Sequence, residues 1–418
     1  MTRCLLTSLL LAALAAPPAR ASNCAGDSTG MTAITDLGPG LYKGVPGGLY
    51  PGSSNHRPAA HNSAGLGIAT SIAPLDTLGN VDFANGQVVL ISIGLSNTTQ
   101  EFSAFVPKAT ADPLKQPRCR AIDCARGGQT ASLIATPSAS YWDTVSTRLR
   151  GAGSSPLQAQ VAWLKTANAN PTGDFATTSE SLYVQLRRIV NILHARLPNL
   201  KLVYFTSRIY AGYASSTLNP EPYAYESGFS IRKLIAAQIS GDPGLNFDPA
   251  HGAIVSPWLA WGPYLWADGL RGRSDGLTWS CSDFVATDGT HPSASGRDKV
   301  ADSLLVFFEN DETTMPWYRR TLVAGVPPTP AVRLSLRATP NPANTFVDFA
   351  IASPGGAWQL RVADVQGRTL RSFANGPTNA TRVHWDLRDD AGRRLPPGTY
   401  FASLAGTQGA VHSRVVVR

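Results

Sequence analysis

Hydrophobic and polar positions follow two different textures along the 418 residues. From Val88 to about Phe308, continuous apolar runs alternate with amphipathic stretches. Val88 to Gly94 is a mostly β-branched run closed by a glycine, the pattern of a strand buried on both faces. Val161–Leu164 and Leu202–Phe205 repeat that pattern. Ser179–Arg196 spaces Leu182, Leu186, Ile189, Val190 and Leu193 along one helical face, turns Arg187 and Arg188 outward, and stops at Pro198. Ile231–Ile239 and Ser295–Phe308 read as further helices. This alternation predicts an α/β fold, a three-layer α/β/α structure doubly wound on a parallel sheet.

Beyond Pro327, Pro328 and Pro330 the texture changes. Short alternating runs appear at Leu334–Leu336, Phe346–Ile351, Trp358–Val365, Arg382–Leu387, Tyr400–Leu404 and Ser413–Val417. Pro340-Asn341-Pro342, Gln366-Gly367 and Ala391-Gly392 punctuate them as turns. Even spacing of this kind predicts an all-β sandwich of about 85 residues, in the manner of immunoglobulin-like modules. The expected organisation is a leader over 1–21, a catalytic-type body over 22–322, a Pro-rich linker over 323–332 and the sandwich over 333–418. Within the body, residues 22–85 are rich in Gly, Pro, Ser and Asn and are expected to wrap over the rest.

Composition sharpens the compartment. A basic start, the apolar run Cys4–Ala16 and Ala19-Arg20-Ala21 describe a secretory signal peptide cleaved after Ala21. No later run approaches the ~20 apolar residues of a bilayer span, so an exported protein without an integral membrane span is expected. Cys24, Cys119, Cys124 and Cys281 then remain, an even number that fits two disulfides. The short spacing favours Cys119 with Cys124, leaving Cys24 for Cys281, although sequence does not settle the pairing. Metal spacings such as Cys-x-x-Cys are absent, and no cofactor is expected. The formal charge of +8 is unevenly spread: residues 331–418 hold 11 Arg, no Lys and 5 Asp, which is +6. With Arg3 and Arg20 lost in the leader, the body is near neutral and lacks the basic groove of a nucleic-acid binder.

Two short segments carry candidate chemistry. Ser96 stands two residues past Gly94, where a parallel strand meets its loop and open α/β sheets place their ligands. Far downstream, Asp288-Gly289-Thr290-His291 puts a carboxylate and an imidazole three residues apart, just before Pro292 and a helix. A serine nucleophile, a histidine base and an aspartate that holds its tautomer need that set of groups. Trp258, Trp261, Tyr264 and Trp266 crowd nine residues; such a cluster stacks on sugar rings or folds onto the core, and both readings stay open.

The order of these blocks, Gly94-Leu95-Ser96-Asn97 early and Asp288-x-x-His291 late, resembles the SGNH (GDSL-like) hydrolase superfamily, particularly its secreted carbohydrate-esterase branch. The resemblance implies Ser96 as nucleophile, His291 as general base and Asp288 as the orienting acid. It implies an oxyanion hole from the Ser96 N–H, Gly128 in Gly127-Gly128-Gln129-Thr130, and an asparagine, with Asn168 the candidate and Asn170 two residues away. Leu95 replaces the aspartate of Gly-Asp-Ser, and the Gly-x-Asn-Asp signature is missing. Asn97, Gln129, Arg208 and Trp261 are the candidate substrate contacts. The implied activity is hydrolysis of small acyl esters, acetyl above all, on carbohydrate; a glycan-binding protein on a degenerate hydrolase fold and a lipolytic esterase are the alternatives.

The tail resembles the Ig-like fold of flagellar hook-capping proteins and type IX secretion sorting domains. Thr339-Pro340-Asn341-Pro342-Ala343, Val362–Arg368, Trp385–Gly392 and Pro397–Phe401 carry that resemblance. It implies sorting or surface attachment, with secretion machinery or the cell surface as partner.

Overall fold

The computed structural model describes residues 21–320, 334–352, 358–374, 381–406 and 409–418. Residues 1–20 of the expected leader and the expected linker over 323–332 lie outside them. The chain divides into two compact units, one up to Thr321 and one from Leu322.

The first unit is built on a five-stranded parallel sheet in the order Cys119–Ile122, Val88–Gly94, Ala159–Lys165, Leu202–Phe205, Trp258–Trp261. Every residue of the Val88–Gly94 and Ala159–Lys165 strands is buried, as their mostly apolar runs lead one to expect, with Ser92, Gln160 and Lys165 the polar exceptions. The chain steps from Val88–Gly94 outward to Cys119–Ile122, then back across to Ala159–Lys165 and onward. Right-handed crossovers therefore send the Ser96–Ala111 helix to one face and the helices Ser140–Gly151, Phe175–Arg196 and Tyr223–Ile239 to the other. The contacts agree: Ser96–Ala111 packs on Ala294–Asn310, and Phe175–Arg196 packs on Tyr223–Ile239. The reversal of direction falls between the Val88–Gly94 and Ala159–Lys165 strands, and a crevice opens there at their carboxyl ends.

Trp258–Trp261 is the fifth strand, and Trp258, Trp261, Tyr264 and Trp266 are all buried. The aromatic cluster therefore belongs to the core. The Trp261 indole donates to the Leu49 carbonyl at 2.8 Å, so it contacts the wrapping segment and no substrate. That segment carries a helix, Ala59–Thr70, which its Gly-containing, unperiodic sequence conceals. His61 of this helix stacks on Trp258 and bonds the Leu259 carbonyl through Nε2 at 2.8 Å.

The second unit has two antiparallel sheets. One orders Thr369–Ala374, Gln359–Ala363, Gly398–Gly406 and Gly409–Val417; the other orders Thr381–Trp385, Val347–Ala352 and Ser335–Thr339. Inward positions Phe349, Leu360, Val362, Trp385, Leu404 and Val415 form a separate core. Thr369–Ala374 is a strand that the alternating runs did not reveal, because Arg371 interrupts its apolar pattern.

Cys24 is bonded to Cys281, with Cα atoms 5.3 Å apart, but Cys119 and Cys124 are free thiols. The expected Cys119–Cys124 pair is corrected by geometry. Cys119 opens an extended strand, and about 3.3 Å of rise per residue carries Cys124 far beyond the ~7 Å that a bridge spans. Burial pushes both thiols up to about 12, so they are inert. Thiol titration of the Ser22–Arg418 chain in denaturant without reductant should count two thiols. Replacing Cys24 and Cys281 with Ser should lower unfolding stability in urea by about 2–4 kcal/mol, since the bridge closes a 257-residue separation.

Candidate active site

Gly94 makes the first turn possible. Its φ is +147°, and a Cβ there would lie 1.9 Å from the Lys165 carbonyl oxygen, so only glycine fits. The chain leaves the strand through Leu95 in an extended conformation and enters the Ser96–Ala111 helix at Ser96 itself. Ser96 thus lies in a helix's first turn, where backbone N–H groups lack intrahelical partners and the dipole favours negative charge.

His291 arrives from a turn that also needs glycine. Gly289 has φ +60°, and a Cβ on it would strike the Tyr213 carbonyl at 1.9 Å. The turn lets Asp288 Oδ1 accept the N–H groups of Thr290 at 2.8 Å and His291 at 2.9 Å. Asp288 Oδ2 bonds His291 Nδ1 at 2.7 Å, and His291 Nε2 lies 2.8 Å from Ser96 Oγ. Burial pushes the Asp288 carboxyl up, but those two N–H groups and the imidazole outweigh it and hold the group below its ordinary range. A carboxylate fixed as acceptor assigns the Nδ1–H tautomer and leaves Nε2 free to take a proton from Ser96. Asn97 is buried and its amide donates to the Thr290 carbonyl at 3.0 Å. It ties the serine helix to the histidine turn.

A cavity of about 360 Å³ opens on these groups, lined by Ser96, His291, Gly128, Asn168, Arg208 and Leu218 among others. Gly128 has φ +75° with open space beside it. The Asn168 side chain faces other partners: Oδ1 accepts from the Ser132 N–H at 3.0 Å and Nδ2 donates to Gln185 at 2.7 Å. One N–H of the amide is thus engaged, and Asn168 remains on the cavity wall with its second N–H to give. Asn170 is no substitute, since its Oδ1 takes the Thr217 hydroxyl and it is not among the cavity's lining residues. Gln129 is likewise absent from the lining. A second cavity, of about 220 Å³, shares Asn168 and Asn219 with the first and is walled by Thr177, Thr178, Ser181 and Ser230.

Sequence reading missed the ion pair beneath the serine. Lys165 Nζ bonds both oxygens of Glu101 at 2.6 and 2.7 Å, and both side chains are fully buried. Burial lowers the Lys165 ammonium to about 8 and raises the Glu101 carboxyl, each partner opposing the other's shift. A lysine closing an otherwise apolar strand was the available signal. Ser92, Thr99 and Arg148 converge on Asp123 nearby.

With this geometry in view, comparisons add little. No family model matches the chain, and no curated protein matches it. Among solved structures, dimeric latent PorU from Porphyromonas gingivalis is similar at 20% identity over 20% of this chain, with a TM-score of 0.17. The hook-capping FlgD of Xanthomonas campestris is similar at 22% over 20%, TM-score 0.15, and a Cellulomonas fimi endo-β-1,4-mannanase at 14% over 62%, TM-score 0.19. The matches span 9%, 63% and 48% of those chains, less than two thirds of each. Likeness at that level is weak, and the geometry carries the argument alone.

Two predictions follow from the buried charges. Lys165→Met strands the Glu101 carboxylate and should destabilise by about 3–5 kcal/mol in urea unfolding, whereas Glu101→Leu with Lys165→Met should recover most of the loss. Glu221, partly buried against the Trp266 indole and the N–H groups of Ala211 and Tyr225, is raised to about 7, desolvation outweighing those bonds. A carboxyl raised on folding stabilises at low pH and loses that contribution as pH rises through its folded value. Unfolding at pH 5 and pH 8 should therefore show Glu221→Gln gaining on the parent at pH 8.

Proposed function

We propose that this chain is an exported serine esterase of the SGNH type that removes small acyl groups, acetyl above all, from carbohydrate. One observation carries the reading: the unbroken chain from Ser96 Oγ through His291 to Asp288, at 2.8 and 2.7 Å, on the wall of a cavity. The strand order and the position of Ser96 at the carboxyl edge support it. The hydroxyl-rich second cavity supports a sugar as the alcohol part of the ester.

Ser96 Oγ attacks the ester carbonyl while His291 Nε2 takes the hydroxyl proton. The charge on the carbonyl oxygen is met by the Ser96 N–H in the helix's first turn and by the Gly128 N–H. Collapse expels the sugar alcohol, which leaves with the proton from His291. Water, deprotonated by the same imidazole, then hydrolyses the acyl-serine to the free acid. Asp288 keeps its charge throughout and stabilises the imidazolium.

The glycan-binding alternative loses its ground, because the aromatic residues it relied on are core. The second unit, by its resemblance to sorting domains, delivers the enzyme to the secretion machinery or the cell surface. Among the described residues no helix is long and apolar enough to cross a membrane.

A fluorophosphonate probe should label the folded chain, and Ser96→Ala should abolish labelling. Asp288→Asn should cut ester turnover by about four orders of magnitude while leaving the fold intact by circular dichroism. A folded parent that takes no label refutes the reading.

A further inference from the structure

Arg208 stands on the wall of the Ser96 cavity with no salt-bridge partner among the described residues. It follows the Leu202–Phe205 strand at the same carboxyl edge as Ser96 and is 2% exposed. Its Nε donates to Asn219 Oδ1 at 3.2 Å, and Asn219 is held in turn by the Asn168 carbonyl at 3.1 Å. Its Nη1 is buried and has no hydrogen-bond partner among the described residues. Two carboxylates, the buried Glu101 and the partly buried Glu221, are near enough to act on it electrostatically, and both are committed elsewhere. Glu101 gives both oxygens to Lys165, and Glu221 accepts the Trp266 indole and two backbone N–H groups.

A guanidinium does not escape burial by losing its proton, as a lysine does. Leaving it dry and half-bonded is costly unless something that enters the cavity completes it. A guanidinium with an unpartnered nitrogen fits a carboxylate, which meets it through charge-assisted N–H···O bonds. The cavity, at about 360 Å³, holds a small acyl group and one further substituent.

We propose that Arg208 receives a carboxylate carried by the substrate, so that the site selects esters bearing an acidic group next to the scissile bond. The carboxylate comes from one of two sources: a uronic acid on the alcohol side or the free end of a dicarboxylic hemiester on the acyl side. The turnover arm of the test rests on the esterase reading; the binding arm does not.

The test uses the Ser22–Arg418 chain and two matched pairs: O-acetyl galacturonic acid against O-acetyl galactose, and 4-nitrophenyl hemisuccinate against 4-nitrophenyl butyrate. In one pair the acidic member should have at least a tenfold higher kcat/KM, and the pair that shows it identifies the source. Arg208→Met should collapse that ratio at least tenfold, with partial return in Arg208→Lys, which also serves should the Met variant fail to fold. Equal rates within both pairs overturn the proposal. So does an equal loss on both members in Arg208→Met, which reassigns the guanidinium to the oxyanion. Should the parent hydrolyse neither pair, thermal unfolding with galacturonate, succinate or galactose decides. A rise in Tm with an acid alone, absent in the Arg208 variants, upholds the inference independently of catalysis; no rise refutes it.

Discussion

The candidate site depends on how closely the end of one strand is pressed against the next. Gly94 lies so near the Lys165 carbonyl that no side chain fits between them. The same carbonyl accepts the Thr98 hydroxyl, and the Lys165 ammonium bonds Glu101. Thr98 and Glu101 both belong to the helix that begins with Ser96. One residue of the neighbouring strand therefore holds the serine's helix twice, through its backbone and its side chain. A buried ion pair is a poor source of net stability, since desolvation offsets most of the Coulomb gain. Its use here is directional: a greasy contact would let the helix rotate, but a bidentate bond between two dry charges fixes its phase, and with it the aim of Ser96 Oγ.

The histidine is held from the other side by unrelated means. Its turn has no strand to align it, so it depends on Asp288 accepting two backbone N–H groups and on Asn97 reaching across to the Thr290 carbonyl. The amino-terminal segment adds a strap. The Ser22 N–H bonds the Ala286 carbonyl, the Asn23 N–H bonds the Tyr213 carbonyl, and the disulfide anchors Cys24 to Cys281, ten residues before His291. An irregular loop that must present one imidazole within hydrogen-bond range of a distant serine is low in intrinsic order. Crosslinking it to a second irregular segment constrains both.

What the sequence made legible follows from where the signal is local. The apolar runs at Val88–Gly94 and Leu202–Phe205 are strands because a strand covered on both faces needs no alternation, and their lengths sit within one element. Ser96, Asp288 and His291 were legible as candidates because a turn glycine and an Asp-x-x-His spacing are visible within a few residues; the structure brings them together across 195 positions. The failures around the candidate site are tertiary. Trp261 resembled a sugar platform until its strand proved to be the sheet's fifth. Cys119 and Cys124 looked like neighbours because sequence distance ignores that an extended strand separates them. Asn168 reached the cavity as expected, though its amide oxygen and one N–H go to Ser132 and Gln185, partners that no spacing rule anticipates. The Glu101–Lys165 pair joins residues 64 apart, and only the odd lysine at the end of an apolar strand hinted at it.

The donors on the wall bear on how the cavity handles negative charge. The proposed acyl transfer needs fixed dipoles for an oxyanion, because a dry cavity offers no water to reorient. The neutral donors for that role are the backbone N–H groups at the helix start and at Gly128, and the second N–H of the Asn168 amide on the same wall. The cationic character comes from behind, from Arg208 and Lys165, and the single buried carboxylate bonded to either of them is Glu101 among the described residues. Asp288 bonds the imidazole and not these cations. The Arg208 guanidinium thus faces the cavity with no carboxylate bonded to it among the described residues, while its unit as a whole is close to neutral by sequence. A field of that sign, in low dielectric, favours whatever anion reaches it, whether the charge develops during the reaction or arrives with the substrate. The orphan edge of Arg208 argues for arrival. A donor meant for a transient oxyanion gains from being held in place by several bonds, and Arg208 is held by one.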